Sequence, residues 1–281
     1  MFTTASLAAR IERAECTMLT ELGQAAARRR TPGSVVLEPI AGGVATFITL
    51  GSPVNKLAGL GFDGVPSEAD LARVEDAFAA RNAPLQVELA SIGDHAVGTL
   101  LTKRGYELIG FENVLGLPLD PSQFADDEDS SIVVERTPAA ETGAWIDAVA
   151  TGFLHPDVFD GPPSHESVDR EAITNIFADV QAVPSFERFF ARRDGVIAGG
   201  ASLRLDQGIA QLAGAATLPE HRRRGVQTAL LRHRLREAAT RGCDVAIVTT
   251  QPGSKSTENV QRFGFAILYV RAILVKAPPT R

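Results

Sequence analysis

The run from Ile209 to Thr240 constrains the fold more than any other part of the chain. Ile209 to Thr217 reads as a strand and Leu218-Pro219-Glu220 closes it. The basic turn His221-Arg222-Arg223-Arg224-Gly225 then leads directly into an amphipathic helix. Val226, Leu230, Leu231, Leu235 and Ala238 are spaced for one buried face of that helix. A glycine-containing turn that opens a helix presents unpaired backbone N–H groups at the positive end of the helix dipole, which is a site for a phosphate or pyrophosphate. The plainer alternative is a solvated helix start. Three cations at a helix N-terminus oppose the dipole, however, and a bound polyanion would remove that conflict.

The remaining elements follow the same strand-to-helix logic. Ile132 to Arg136 reads as a strand, about Ala139 to Phe153 and about Glu166 to Asp179 as helices. Phe186 to Arg193 and Val196 to Leu205 read as a hairpin turning at Asp194-Gly195. After the helix that ends near Thr240 come a strand at Val245 to Thr250, a short helix at Ser254 to Phe263 and a last strand at Phe265 to Lys276. The order β-α-α-β-β-β-α-β-α-β calls for an α/β fold (α+β, with mixed, mostly antiparallel sheets) and helices on both faces.

The acidic, proline-opened stretch at residues 121–131 reads as a linker. It separates a domain at 1–120 from one at 132–281, and a chain of 281 residues is long enough for both to bury a core. The first half repeats part of the second. Leu71 to Arg81 reads as a helix, Leu85 to Leu89 as a strand, and His95 to Lys103 as a helix followed by a strand through Leu117. Val35 to Glu38, Val44 to Leu50 and Lys56 to Gly61 precede them as strands. Aligning Gly105 with Gly264 superposes Arg104-Gly105-Tyr106 on Phe263-Gly264-Phe265. The N-terminal copy carries Leu60-Gly61-Phe62-Asp63-Gly64-Val65-Pro66 in place of the arginine turn, with an acid where a phosphate wants a cation.

With 28 Lys and Arg against 34 Asp and Glu, the net charge of -6 argues against a general nucleic-acid binder. It suits a cationic amine substrate. Two cysteines offer neither a disulfide framework nor a zinc cluster. No apolar run approaches the ~20 residues of a membrane span, and no export pattern opens the chain. The expectation is a cytoplasmic protein.

Residues 212–231 resemble the acetyl-CoA signature of the GNAT superfamily of N-acetyltransferases, Arg/Gln-x-x-Gly-x-Gly/Ala between the fourth strand and the third helix. Arg222, Gly225 and Gln227 fill it, with Gln227 departing from the small residue preferred at the last place. The element order, the Leu218-Pro219-Glu220 lead-in and Arg262-Phe263-Gly264-Phe265 extend the resemblance over the C-terminal half. The N-terminal half looks like a decayed copy, as in tandem GNAT proteins. The resemblance implies that backbone groups of Ala215, Ala216 and Thr217 pair with the pantetheine arm of acetyl-CoA. It further implies that the N–H groups of Arg222, Arg223, Arg224, Gly225, Val226 and Gln227, with the Thr228 hydroxyl, hold the pyrophosphate. Asn259 matches a cofactor-touching position, or is an exposed helical Asn.

Acetyl transfer to an amine needs a neutral amine, a donor to the oxyanion and a proton for the departing thiolate. Many relatives supply that proton from a Tyr four residues before the Gly-Phe pair; here that residue is Val260. Tyr269 could replace it from the last strand, or pack as a strand aromatic. Gln211 stands where some relatives place a base-like Glu, which leaves Glu187 and Glu258 as candidates for a base alongside a water chain. His155, Asp157, Asp160 and His165 fit no standard zinc or calcium spacing, so no metal is expected. The expected partner is a small-molecule primary amine, without nucleic acid or membrane, and a homodimer is compatible with the sequence. Two rival readings stay open: a non-catalytic acyl-CoA binding or sensing module, and nucleic-acid association through the arginines.

Overall fold

A computed structural model describes residues 2–123, 131–156 and 170–279. The first part of the chain runs α1 (Ala5–Arg29), β1 (Val36–Ile40), β2 (Gly43–Phe47), β3 (Lys56–Ala58), α2 (Glu68–Ala79), β4 (Leu85–Ala90), α3 (His95–Lys103) and β5 (Glu107–Pro118). The second part runs β6 (Ile132–Arg136), α4 (Thr142–Leu154), α5 (Arg170–Gln181), β7 (Phe186–Arg193), β8 (Val196–Asp206), β9 (Ile209–Thr217), α6 (Val226–Thr240), β10 (Val245–Thr250), α7 (Lys255–Arg262) and β11 (Ala266–Lys276). The fold is α+β, with a mixed, mostly antiparallel arrangement of strands and helices.

The chain divides into two compact units. Residues up to Leu115 join those from Thr249 onward in unit 1; unit 2 takes the described residues from Gly116 to Val248. This differs from the sequence division at 121–131, which assigns all of 132–281 to one domain. The reason is β11. It joins the unit 1 sheet beside β4, antiparallel from Arg271 opposite Ala90 to Lys276 opposite Leu85. Its Leu274 completes the apolar core formed by Phe47, Leu57, Leu71, Val74, Phe78, Val87 and Leu101. A strand end cannot be assigned to a sheet by its own residues, because the ladder partner carries the information.

Strands in unit 1 follow the order β1-β2-β3-β4-β11-β5, and those in unit 2 β10-β9-β8-β7-β6. The sequence reading assigns no element to the first thirty residues, where the structure places the 25-residue α1. Its signals are present: Thr4 caps it by accepting from the Leu7 N–H, and Ala8, Ile11, Leu19, Leu22, Ala25 and Ala26 form its buried face. Gly23 lets this helix approach the sheet, since a Cβ there would sit 3.1 Å from Leu37 Cδ1.

In unit 2, α4 packs on β8 and β9. Trp145 is fully buried, donates from Nε1 to the Phe189 carbonyl (3.1 Å) and meets Phe177 of α5 edge-on at 5.1 Å. Gly200 makes this approach possible, because its Cβ would lie 2.8 Å from both Trp145 Nε1 and Val149 Cγ2. The Asp194-Gly195 turn has positive φ at both residues (54° and 78°), the conformation a two-residue hairpin requires.

Candidate functional site

The site in unit 2 begins where two parallel strands part. The described register of β9 with β10 covers Ile209, Ala210 and Gln211. Beyond Gln211, β9 continues to Thr217, paired with β8 on its other side. That pairing is itself irregular: the register slips between Gly200 and Ser202, so Ala216 opposes Gly200 while Ala213 opposes Ser202. Gly214 supplies the slip with φ of +56°, and Ser202 Oγ donates to the Ala213 carbonyl at 2.9 Å. A bulge of this kind increases local twist and turns a strand away from its neighbour. Ala215, Ala216 and Thr217 lie on the diverging, half-buried part of β9. An extended ligand arm can add to an unpaired strand edge through main-chain hydrogen bonds.

Two glycines, one in α4 and one in β8, let their elements close on this end of β9. A Cβ on Gly152 would fall 2.5 Å from the Ala216 Cβ, and one on Gly199 would fall 2.5 Å from the Ala216 carbonyl oxygen. Neither position has room for a side chain.

The turn after β9 delivers the chain to α6 in an unusual state. Gly225 is the N-cap, left-handed at φ 84°, and supplies no side-chain cap. Arg223 also has positive φ (58°), which costs a non-glycine residue about 1–2 kcal/mol. Glycine in place of a Ser, Thr, Asp or Asn cap forgoes a few tenths of a kcal/mol more. The first turn of α6 contains no acid, whereas Arg223, Arg224, Gly225 and Thr228 are exposed. Val226 is buried and pins the turn to the core. Arg222 points its guanidinium at the His155 carbonyl, which ends α4, so this cation braces the loop against a helix C-terminus. Local stability is given up at a place that presents N–H groups and positive charge to solvent, an arrangement an anion would reverse.

The corresponding segment of unit 1 is built the opposite way. Ser67 caps α2 by accepting from the Asp70 N–H, and Glu68 and Asp70 occupy the first turn. Its β3 keeps register with β4 from Lys56 to Ala58, and the Gly61 carbonyl accepts from the Asp94 N–H at 2.9 Å, so the two segments are tied together past the strand end. A Cβ on Gly59 would meet the Cys16 Sγ at 2.2 Å. The helix start is capped and acidic, and the strands do not part.

The catalytic candidates have other occupations. Tyr269 belongs to unit 1, is buried, and donates its hydroxyl to Glu12 at 2.7 Å. Burial and the Glu12 charge push its pKa far above the ordinary tyrosine value. Glu12 also accepts from Arg271 Nε (2.9 Å), which in turn reaches Glu88 and Glu112 at 3.3 and 3.2 Å. Lys56 bonds Glu88 at 2.8 Å and lies 3.5 Å from Glu15. Tyr269 is thus one member of a buried charge cluster. Glu187 in unit 2 pairs with Arg136 (2.8 Å) and with Arg241. Glu258 pairs with Lys255 at 2.6 Å and with Arg262. Gln211 is buried and its Oε1 accepts from Arg204 Nη1 at 2.5 Å. Val260 is buried in α7 and Asn259 is half-buried beside it, both in unit 1.

Among the described residues no group of three His, Cys, Asp or Glu is placed to hold a metal. Asp157, Asp160 and His165 lie outside the described residues, whereas the His155 ring nitrogen Nδ1 is taken by the Thr151 carbonyl at 2.9 Å. Among the described residues no helix is long and apolar enough to cross a membrane.

Comparison with known proteins bears on the fold. The acetyltransferase (GNAT) family model matches residues 154–265. A GCN5-related N-acetyltransferase from Kribbella flavida superposes with a TM-score of 0.64 at 19% identity, covering 98% of this chain and 96% of its own. A tandem GNAT protein from the clavulanic acid biosynthesis pathway superposes with a TM-score of 0.59 at 13% identity, over 92% and 88% of the two chains. A GCN5-related N-acetyltransferase from Sphaerobacter thermophilus gives 0.56 at 16% identity, over 80% and 72%. Among curated proteins no sequence match was found. At these identities the likeness establishes the fold: the chain has the tandem GNAT architecture, and the family model falls in its second half.

Proposed function

We propose that this tandem GNAT-fold chain is an acetyl-CoA-dependent N-acetyltransferase with one cofactor site, in unit 2, acting on the primary amine of a small molecule. The observation that carries the reading is the continuous path from the parted edge of β9 at Ala215–Thr217 to the uncapped, arginine-flanked start of α6. The edge suits the pantetheine arm, and the N–H groups from Arg222 to Gln227 with the Thr228 hydroxyl suit the pyrophosphate. The capped, acidic start of α2 supports a single site per chain.

Acetyl-CoA when bound supplies a thioester carbonyl to the amine. An alkylamine with a pKa near ~10 is only about one part in a thousand neutral at pH 7, so its proton must leave before attack. Glu187 and Glu258 are both held by cations, and Gln211 cannot accept a proton. The reading assigns deprotonation to water at the site rather than to any of these three. Backbone N–H groups of the parted β9 edge are the donors available to the oxyanion. Tyr269 is omitted as the acid, because its hydroxyl serves Glu12.

That omission also favours a second reading, a module that binds acyl-CoA without transferring it. Free-thiol release from acetyl-CoA across a broad panel of primary amines separates the two. The transferase reading requires amine-dependent thiol release; tight acetyl-CoA binding with no release above the buffer rate would select the binding module.

A further inference from the structure

The three fully buried arginines each reach acceptors, whereas the half-buried Arg188 reaches none among the described residues. Arg204 reaches Gln211, Asp206 and Ser185; Arg234 donates to the carbonyls of Leu230 and Ser202; Arg271 meets three glutamates. Arg188, in the middle of β7, has two guanidinium nitrogens, Nε and Nη1, that are buried and without a hydrogen-bond partner among the described residues. Among the described residues no ion pair involves it, and burial draws its pKa below the ordinary arginine value. Enclosed guanidinium N–H groups without acceptors are costly and call for an explanation.

Its place in the sheet supplies one. Arg188 stands opposite Ser202, and Ser202 stands opposite Ala213, the residue at the β9 slip. On the other side the Arg188 carbonyl accepts from the Thr137 N–H at 2.8 Å, and the Thr137 hydroxyl is also buried without a partner. Residues directly opposite one another share a face. This face is the one that carries α4 and α5, since Gly200 abuts Trp145 and Gly214 abuts Phe177. One row therefore runs from two unsatisfied donors, Thr137 and Arg188, to the point where β9 leaves β10. Arg188 is two strands from that point, roughly 10 Å at the backbone.

We infer that Arg188, with Thr137, binds a carboxylate on the acceptor, so that the substrates are amino acids with amine and carboxylate a short chain apart. The inference rests on the acetyltransferase reading of unit 2 and names its substrate class. A guanidinium presents parallel N–H donors that match a carboxylate in two bonds, and such a pair is far stronger out of water. The amine end would then face the parted edge of β9, where the thioester is expected.

The test is calorimetry on the full chain with saturating CoA, using the twenty common amino acids and their carboxamides as probes. Wild type is expected to bind at least one amino acid about 100-fold more tightly than its carboxamide, the scale of a lost charge-assisted pair. Arg188→Gln is expected to erase that preference, Arg188→Lys to restore part of it, and acetyl-CoA affinity to stay unchanged in both. Urea midpoints should not fall in Arg188→Gln, because no native partner is lost. Equal binding of acids and carboxamides, or no binding of any amino acid, with acetyl-CoA bound normally, would overturn the carboxylate assignment alone. A variant that no longer folds would overturn it too, by making Arg188 a structural residue. Absence of acetyl-CoA binding in wild type would instead strike the acetyltransferase reading.

Discussion

Replacing Glu112 by glutamine isolates the charge balance inside unit 1. Four carboxylates, Glu12, Glu15, Glu88 and Glu112, surround two cations, Lys56 and Arg271. Full ionisation would leave an excess of two negative charges in a nearly dry interior. Burial and the Glu88 charge push the Glu112 carboxyl up to about 8, and burial raises Glu12 as well. Burial also opposes ionisation of Glu88, but Lys56 and Arg271 hold it below the ordinary value. In the unfolded chain Glu112 titrates near 4.5, so above that pH the folded state keeps a proton that the unfolded state has released. The stabilisation is full below pH 4.5 and is lost as pH rises through about 8. The slope is about 1.4 kcal/mol per pH unit, so the rise from about pH 6.5 to 8 removes about 2 kcal/mol. His233, lowered by burial, acts only below its ordinary 6.5, outside that window. Urea unfolding of wild type and Glu112→Gln at both ends of the window reads the effect. Wild type is expected to lose about 2 kcal/mol more than the variant, which keeps the shape of the neutral acid and starts within about 1 kcal/mol of wild type. Parallel pH curves would contradict a Glu112 that keeps its proton in the folded state. So would a loss of about 3–5 kcal/mol in the variant at the lower pH, the mark of a broken buried ion pair.

Other perturbations read neighbouring parts of the structure. Lys56→Met leaves Glu15 and Glu88 facing each other without their shared cation, and is expected to cost about 3–5 kcal/mol in urea unfolding near neutral pH. Tyr269→Phe removes one hydrogen bond to Glu12 and is expected to cost about 1–3 kcal/mol of stability. Its steady-state turnover should match wild type, and a large fall in kcat would return Tyr269 to the chemistry. Gly152→Ala places a Cβ 2.5 Å from that of Ala216, so it should displace the end of β9 and weaken acetyl-CoA binding in calorimetry more than it lowers the unfolding midpoint.

The parts of the fold legible in the sequence are those whose cause is local. The Asp194-Gly195 hairpin, the helix at His95–Lys103 and the basic turn before Val226 each depend on residues next to one another, and each stands where the spacing puts it. The N-terminal helix had local signals in Thr4 and its alanine-rich face, and reading its cap would have found it. Other features depend on distant partners. The slip at Gly214 exists only relative to Gly200 and Ser202 of another strand. Tyr269 is tied to a glutamate 257 residues away, which no spacing near the last strand reveals. For the same reason β11 sits beside β4 and outside the half of the sequence that encodes it. Arg188 is one arginine among several on a strand in the sequence; only the missing partner makes it informative.

The central claim, one acetyl-CoA site per chain at the start of α6, is tested most directly by calorimetric titration of acetyl-CoA into wild type and the Arg223→Glu/Arg224→Glu double variant. Wild type is expected to bind one acetyl-CoA per chain saturably. The double variant is expected to lose at least about tenfold in affinity with an unchanged unfolding midpoint, because both side chains are exposed and make no contribution to the core. Binding of two acetyl-CoA per chain, no binding, or equal affinity in the two proteins would contradict the claim.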